Sequence, residues 1–207
     1  HHRDYLKGER ILSEGAPAEF VAILSEGRAK AYRDSADGRE QILYLFDEGD
    51  FFGETHLLSQ PAPSTYSVEA LETVRACLLY RRDFLQLLQD FPDMGIRVIG
   101  ELSARLSRLE HAVQRMGTGS LDARIAATLL EFGDKYGRRT PDGVRIRLPL
   151  SREGMAGYLG IARETVSRKL GQMEQDGLLR SIGHKTLVVR DPDALARMAG
   201  EGEFSES

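Results

Sequence analysis

The sequence predicts an α+β protein with an all-β N-terminal domain, a long connecting helix, and a C-terminal domain of short helices with a hairpin. Three observations lead to this fold class. Short strand-like runs with glycine turns fill the first 80 residues, apolar residues at heptad spacing follow, and the last third combines helical periodicity with two alternating strands. A chain of 207 residues is long enough for two domains.

Composition narrows the class of protein. Hydrophobic residues make up 41% of the chain and charged residues 29%, which is typical of a globular protein and excludes a disordered or fibrous one. No apolar run reaches the roughly 18 residues of a membrane-spanning helix, and no signal-peptide pattern is present, so we expect a cytoplasmic protein without a membrane partner. The single cysteine, Cys77, excludes an internal disulfide framework, a cysteine-rich zinc site and a four-cysteine cluster within one chain.

Residues 1–91 form the predicted β domain. Its strand-like runs are residues 20–24, 29–32, 41–46, 67–71 and 74–80. Asp37-Gly38 is a strong hairpin signal before the third run, and Glu72-Thr73 suggests that the last two runs pair with each other. Many short strands with frequent glycine turns predict a sandwich, a jelly roll or a small barrel.

A long helix over residues 92–117 follows a short helix at residues 82–91, which Pro92 ends. Its apolar residues are spaced alternately by three and four positions, as at heptad positions a and d; they are Ile99, Leu102, Leu106, Leu109, Val113 and Met116. β-Branched residues at two a positions with leucine at d favour a parallel two-stranded coil. We therefore expect a homodimer, the alternative being a helix that packs on its own domain.

The C-terminal domain is predicted over residues 121–200, between a glycine-containing hinge at 118–120 and an acidic tail at 201–207. Residues 121–190 carry a formal charge of +5, whereas residues 1–117 carry −5. This asymmetry indicates different partners for the two domains, and the basic one is the candidate for nucleic acid. A helix at 121–137, a turn at 138–143 and a strand at 144–148 are expected first.

Residues 151–170 follow a helix-turn-helix pattern. Ser151 is placed to cap a helix that ends at Leu159, and small Ala156 lies where two helices must cross closely. Gly160 occupies a tight turn that needs a positive φ. In the second helix, residues 163–175, Val166 is an apolar residue on the side that is expected to pack against the rest of the domain.

The other side of that second helix carries the side chains that a major-groove helix uses, because arginine grips guanine bidentately and glutamate accepts from the cytosine amino group. The candidate base-reading residues are Arg163, Glu164, Ser167 and Arg168. The candidate phosphate contacts are Ser151, Arg152, Thr165, Lys169, His184 and Lys185. The last two lie at the tip of a predicted hairpin (178–182 with 186–190), which makes the domain a winged helix-turn-helix.

Three stretches give the chain a resemblance to a known family: Gly49-Asp-Phe-Phe-Gly-Glu54, Arg163-Glu-Thr-Val-Ser-Arg168 and Gly183-His-Lys-Thr-Leu-Val-Val189. On these, the chain resembles the cAMP receptor protein/fumarate-nitrate reduction regulator (CRP/FNR) family of bacterial transcription regulators over nearly its whole length. The resemblance implies a cyclic-nucleotide-binding-type β-roll, a parallel helix dimer, and double-stranded DNA bound at an inverted repeat under control of a small-molecule effector. It favours an activator, with RNA polymerase as a further partner.

The resemblance also implies a DNA sequence. Arg163, Glu164 and Arg168 match the base readers of the cAMP-receptor type, while Ser167 matches the FNR type. We therefore expect half-sites with TGA/TCA cores, about one helical turn (~34 Å) apart, and leave the outer bases open.

By the same resemblance the effector pocket consists of Gly53, Glu54, Ser64, Thr65, Arg105 and Leu109. In cAMP-binding members an Arg-Ser pair holds the cyclic phosphate, but that pair falls here on Ser64-Thr65, which supplies no positive charge. Losing a charge-assisted contact to a buried anion is costly, so an effector other than cAMP, or none, is expected. The alternative role for Glu54 is to cap a turn or to form an ion pair with a neighbouring arginine.

Haem is the alternative cofactor, because gas-sensing relatives ligate it in this roll; His56 and His111 are the candidate ligands. An iron–sulfur cluster is not expected, since Cys77 stands alone and is predicted to be a buried apolar residue. No other metal site is predicted. The identity of the cofactor stays open.

Two other classes of protein compete with a transcription regulator. A jelly roll also occurs in metal-dependent cupin enzymes, but these need two or three closely spaced histidines within the strands, and only His56 is available beyond the terminal pair His1-His2. No nucleophile elbow, Walker loop or HExxH motif is present, so an enzyme is not expected. A pure coiled-coil interaction module is disfavoured by the base-reading side chains.

Overall fold

The computed structural model describes residues 1–17, 19–35, 38–54 and 62–200, with the helical backbone alone for residues 111–118. The chain divides into two compact units, His1–Leu106 and a second one that begins at Ser107, and each is described by itself. The N-terminal sheets, the long helix and the C-terminal helix-turn-helix confirm the predicted α+β class. His56 and the tail at 201–207 lie outside the described residues.

The first unit contains two four-stranded antiparallel sheets. The first sheet has the order β1 (His2–Tyr5), β8 (Val74–Tyr80), β3 (Phe20–Glu26) and β6 (Phe51–Phe52). The second has the order β2 (Arg10–Leu12), β7 (Ser67–Ala70), β4 (Ala29–Asp34) and β5 (Glu40–Phe46). The inner faces of both sheets contribute to one buried core, rich in small residues such as Ala22, Ala31 and Ala76.

The predicted pairing of the last two strands is wrong, whereas the hairpin before Gln41 is confirmed. Strand β4 pairs with β5 on either side of the turn that contains Gly38. Strand β7, in contrast, pairs with β2 and β4, while β8 pairs with β1 and β3. The chain crosses from one sheet to the other at Glu72-Thr73, so that Val68 and Val74 bury their side chains in the core from different sheets.

Two helices follow the strands of the first unit. Helix α1 (Arg81–Asp90) and helix α2 (Pro92–Thr118) agree with the predicted positions within a residue, and Pro92 is the first residue of α2, where its missing N–H costs no hydrogen bond. Val21 lies on the outer face of β3 and packs with Phe84 of α1, and Val98 of α2 joins this cluster. The first sheet is therefore covered on its outer side by helices.

The second unit contains four helices and an antiparallel sheet. The helices besides the end of α2 are α3 (Leu121–Tyr136), α4 (Arg152–Leu159), α5 (Arg163–Gln175) and α6 (Pro192–Ala199). The strands are β9 (Gly137–Thr140), β10 (Gly143–Arg147), β11 (Leu179–Ile182) and β12 (Thr186–Val189), in the spatial order β11-β12-β10-β9.

Two local features of this unit differ from the sequence prediction. The segment 138–143, expected as a turn, holds β9, because Arg139 and Thr140 already pair with Val144 and Gly143 and leave only two residues for the turn. Helix α6 was not predicted; Asp191 caps it by accepting from the Ala194 N–H at 2.8 Å. Between α2 and α3, Ser120 caps α3 in the same way, accepting from Ala123 at 3.1 Å.

Candidate nucleic-acid interface and effector pocket

The turn between α4 and α5 has the geometry of a helix-turn-helix. The Ser151 hydroxyl accepts from the Gly154 N–H at 3.1 Å and caps α4, as predicted. Gly160 ends α4 at φ +66°, a left-handed conformation that residues with a Cβ adopt at a cost. The Ile161 N–H then donates to the Ala156 carbonyl at 3.0 Å, which closes the turn and directs the chain into α5.

Helix α5 separates apolar from polar side chains as predicted. Val166, Leu170 and Met173 are buried. The four candidate base-reading residues all lie on the exposed side: Arg163, Glu164, Ser167 and Arg168. No side-chain hydrogen bond or ion pair joins any of these four to another residue that the structure describes, so their polar groups are available to an external partner.

The candidate phosphate contacts lie in different environments. The wing tip presents exposed His184 and Lys185, and Thr165 is partly buried near the start of α5. The Lys169 ammonium forms an ion pair with Asp122 of α3 at 2.7 Å, a partner that the sequence analysis missed. Burial lowers the pKa of Arg152, partly offset by the Glu174 carboxylate, and its buried Nη1 has no hydrogen-bond partner among the described residues.

The wing is held by strands that are distant in sequence. β12 pairs with β11 to form the hairpin and also with β10, which precedes α4 in the chain. At the tip, the Leu148 N–H donates to the Lys185 carbonyl at 2.8 Å. The tip is thus anchored to the same sheet that leads into the helix-turn-helix. In this sheet, exposed Arg138 lies opposite Arg145, and the two form a basic surface. The sequence did not predict this surface, because residues 138–143 were expected to form a turn.

In the first unit, Glu54 and Arg105 form a buried ion pair. Arg105 Nη1 lies 3.2 Å from Glu54 Oε1, with 10% and 4% of the two side chains exposed. Arg105 also donates from Nε to Glu101 at 3.2 Å and from Nη2 to the Phe51 carbonyl. Its guanidinium lies 4.6 Å from the centre of the Phe51 ring. Glu54 thus has an arginine of α2 as an ion-pair partner.

Gly53 and Tyr66 complete the surroundings of this pair. Gly53 has φ +91°, and a Cβ there would lie 2.4 Å from the Phe20 carbonyl oxygen, so only glycine fits. Burial, together with the Glu54 charge, raises the pKa of Tyr66 well above its usual value. The sequence analysis missed Tyr66, since nothing in its local pattern separates it from an ordinary core tyrosine.

The remaining predicted pocket residues have different surroundings. The Ser64 hydroxyl is buried and donates to the Tyr66 carbonyl at 2.7 Å. Thr65 is exposed. Leu109 belongs to the second unit and is 39% exposed. Of the six predicted residues, Glu54 and Arg105 are in direct contact, and Gly53 precedes Glu54 in the chain.

Helix α2 exposes several of the apolar residues that the heptad pattern selects. Ile99 is 64% exposed and Leu106 58%, values unusual for large aliphatic side chains. Leu102 is partly buried. For Val113, Met116 and the candidate haem ligand His111, only the helical backbone is described.

Within the described parts of the chain, no group of three or more His, Cys, Asp or Glu side chains is arranged to hold a metal ion. Cys77, on β8, is partly exposed rather than buried. None of the described helices combines the length and the apolar character needed to cross a membrane.

Comparison with known proteins assigns both units. A cyclic nucleotide-binding domain model matches residues 2–91, and a Crp-like helix-turn-helix domain model matches residues 123–198. The chain is 29% identical to the CRP-like cAMP-activated global transcriptional regulator of Mycobacterium tuberculosis, over 95% of this chain and 87% of the relative. It is 30% identical to the cAMP-activated global transcriptional regulator CRP of Pasteurella multocida, over 91% of this chain and 90% of the relative.

Among solved structures, FixK2 from Bradyrhizobium japonicum matches with a TM-score of 0.82 at 27% identity, covering 96% of each chain. This likeness extends through both units. Together with the exposed polar side of α5 and the anchored wing, these similarities show that the chain belongs to the CRP/FNR family of transcription regulators, which bind DNA through the helix-turn-helix.

Proposed function

We propose that this protein is a homodimeric transcription activator that binds an inverted repeat with TGA/TCA half-site cores and contacts RNA polymerase in the cytoplasm. One observation carries the proposal: Arg163, Glu164 and Arg168 lie exposed on α5 with no side-chain partner among the described residues, while the opposite side of the helix is packed. A bidentate contact from arginine to a base favours that base over the other three by about 1–3 kcal/mol. Three polar readers on one helix are enough to specify a half-site core.

The exposed residues of α2 support the homodimer. Ile99, Leu106 and Leu109 recur at heptad spacing and are 64%, 58% and 39% exposed. Burying such a stripe against a second copy of the helix removes apolar surface from water, at about 25 cal/mol per Å². A parallel pair places two copies of α5 to read half-sites about one helical turn apart. Residues 118–120 are the proposed hinge for rearrangement of the DNA-binding domains.

The effector of this regulator is proposed to differ from cAMP, although two relatives are named as cAMP-activated. A cyclic phosphate needs a cation at the position that Ser64 and Thr65 occupy here. The Ser64 hydroxyl is already engaged with the Tyr66 carbonyl, and Thr65 is exposed. The Glu54 carboxylate has Arg105 as an internal partner.

The DNA proposal is tested by selection from a randomised duplex pool, with the full-length purified protein and with 0.1 mM cAMP as a separate arm. We expect enrichment of TGA/TCA inverted repeats, with the same enrichment in both arms. Arg163→Ala is the test variant. Arg197→Ala, an exposed arginine on α6, is the matched control and is expected to select the same repeats as the unmodified protein.

Each outcome separates one part of the proposal. Enrichment of a different core contradicts the assignment of the base readers. Enrichment of single half-sites, together with a monomer in sedimentation analysis, contradicts the homodimer. Selection that requires cAMP contradicts the proposed effector class. If neither arm selects any sequence, the same pool is used to screen other small molecules.

A further inference from the structure

A cavity lies on the outer face of the first sheet, away from the core between the sheets. It has a volume of about 340 Å³ and is lined by apolar side chains of β3, β8, α1 and α2, among them Val21, Ile23, Leu79, Phe84, Leu88 and Val98. The odd-numbered residues of β3 face it, whereas Ala22 and Leu24 face the core. The volume falls within the range of about 300–1,000 Å³ that small-molecule sites occupy.

The charged side chains of the cavity differ in their hydrogen bonding. Asp50 accepts from the Asp47 N–H at 2.7 Å, and Glu101 accepts from Arg105 Nε at 3.2 Å. Arg97 also lines the cavity, and no hydrogen bond or ion pair joins it to any other residue within the described ranges. Arg97 is the cation among the described lining residues, and the donors of a guanidinium form a fork that matches a carboxylate.

We propose that this cavity binds an amphipathic carboxylate, with the apolar body of the ligand between the sheet and the two helices and its carboxylate on Arg97. The apolar lining supplies affinity through burial, and the guanidinium selects an anionic head group by a charge-assisted, bidentate contact. This ligand site is separate from the Glu54–Arg105 site and needs no positive charge at Ser64.

The cavity shares two residues with the surroundings of that ion pair. Phe51 lines the cavity with its side chain and accepts from Arg105 through its carbonyl, and Glu101 lines it while holding Arg105 Nε. A ligand that shifts either residue changes the contacts of Arg105. Ligand binding in the outer cavity is therefore expected to change the contacts of the buried Glu54–Arg105 pair.

The test uses decanoate as the anionic probe and decan-1-ol as its uncharged counterpart, both below their aggregation concentrations, with binding to the full-length protein measured by calorimetry. We expect saturable binding of decanoate, at least about tenfold tighter than that of decan-1-ol. Arg97→Gln is expected to weaken decanoate binding about tenfold or more and to leave decan-1-ol binding unchanged. Arg82→Gln, an exposed arginine on α1 that does not line the cavity, is the matched control.

Two further variants locate the ligand. Val98→Phe and Leu88→Phe fill the cavity from α2 and α1 respectively, and each is expected to abolish binding of both probes while circular dichroism stays unchanged. Equal binding of decanoate by Arg97→Gln and Arg82→Gln, or unchanged binding by both filled variants, overturns the proposal. Dissociation of the protein in sedimentation experiments as decanoate binds also overturns the proposal, because that result assigns the cavity to a second copy of the chain.

Discussion

The recognition helix α5 and the interior of the β-roll place charged side chains in opposite environments. On α5, Arg163 and Arg168 are exposed and have no partner within the described residues. In the roll, Glu54 and Arg105 are almost fully buried, 3.2 Å apart. The first arrangement keeps charge available for a molecule outside the protein, and the second satisfies charge within it.

This difference separates stability from function in the two regions. A buried ion has lost its hydration, so the roll depends on both members of the pair being present. An exposed arginine keeps its hydration, and its removal changes the free energy of unfolding by less than about 0.5 kcal/mol. Variants in the two regions should therefore affect different measurements.

The largest expected effect is on the stability of the roll. Arg105→Ala leaves the Glu54 carboxylate buried without its partner and should lower the free energy of unfolding by about 3–5 kcal/mol. Urea denaturation of the full-length protein, followed by circular dichroism, measures this loss. The double variant Arg105→Met/Glu54→Leu replaces both charges by apolar groups and should recover most of it. An Arg105→Ala protein as stable as the unmodified one would show that the pair is solvated.

The next effect concerns DNA affinity without a change in stability. Arg163→Ala should weaken binding to a TGA/TCA repeat by about 1–3 kcal/mol and relax the base preference at one position. Its thermal unfolding midpoint should stay that of the unmodified protein. Fluorescence anisotropy with labelled duplexes measures the affinity. Unchanged affinity and unchanged preference would remove Arg163 from the base readers.

A smaller effect appears at alkaline pH in the roll. The folded-state pKa of Tyr66 is raised, so the unfolded chain releases this proton at about pH 10 while the folded protein retains it. This contribution to stability is complete below pH 10 and decreases as the pH rises, by up to about 1.4 kcal/mol per pH unit. Tyr66→Phe should remove that part of the slope.

Urea denaturation at several values between pH 9 and 11 measures the slope for Tyr66→Phe. Tyr80→Phe, which removes an exposed tyrosine of β8, is the matched control. An identical slope for the unmodified protein and Tyr66→Phe would mean that the Tyr66 phenol is accessible to solvent in the folded state.

The smallest effect belongs to the wing. Lys185→Ala should weaken binding by a similar factor for all DNA sequences and reduce the slope of log affinity against log salt by about 1, because one phosphate contact is lost. Binding at several salt concentrations, to a cognate and a scrambled duplex, measures this. Lys7→Ala, an exposed lysine of the first unit, serves as the control. A loss confined to the cognate duplex would instead indicate base reading by Lys185.

Features set by local periodicity were predictable from the sequence. Helix α5 was placed at residues 163–175 because its apolar and polar residues separate at helical spacing, and Gly160 marked the turn before it. The hairpin at Gly38 was predictable for the same reason, since turn chemistry and strand alternation coincide there. These signals lie within a few residues of the structure that they specify.

Features set by distant partners were not predictable. Alternation shows that β7 and β8 each have one buried face, but it does not show that the faces belong to different sheets. Strand β9 depends on β10 as its neighbour, and Tyr66 gains its environment from Glu54 and Gly53. At the pocket, the ion pair of Glu54 with Arg105 joins residues that are 51 positions apart, so local patterns could not show it.

The pairing of β1 with β8 has a consequence for the synthesis of this protein in the cell. The His1 nitrogen donates to the Leu78 carbonyl, 77 residues further along the chain. At about 5–20 residues per second, a ribosome needs roughly 4–15 s to make that interval. β8 is also a neighbour of β3, so the first sheet receives its connecting strand last. A nascent chain that stalls before Val74 exposes an unpaired strand edge, which is a substrate for chaperones and a site of aggregation.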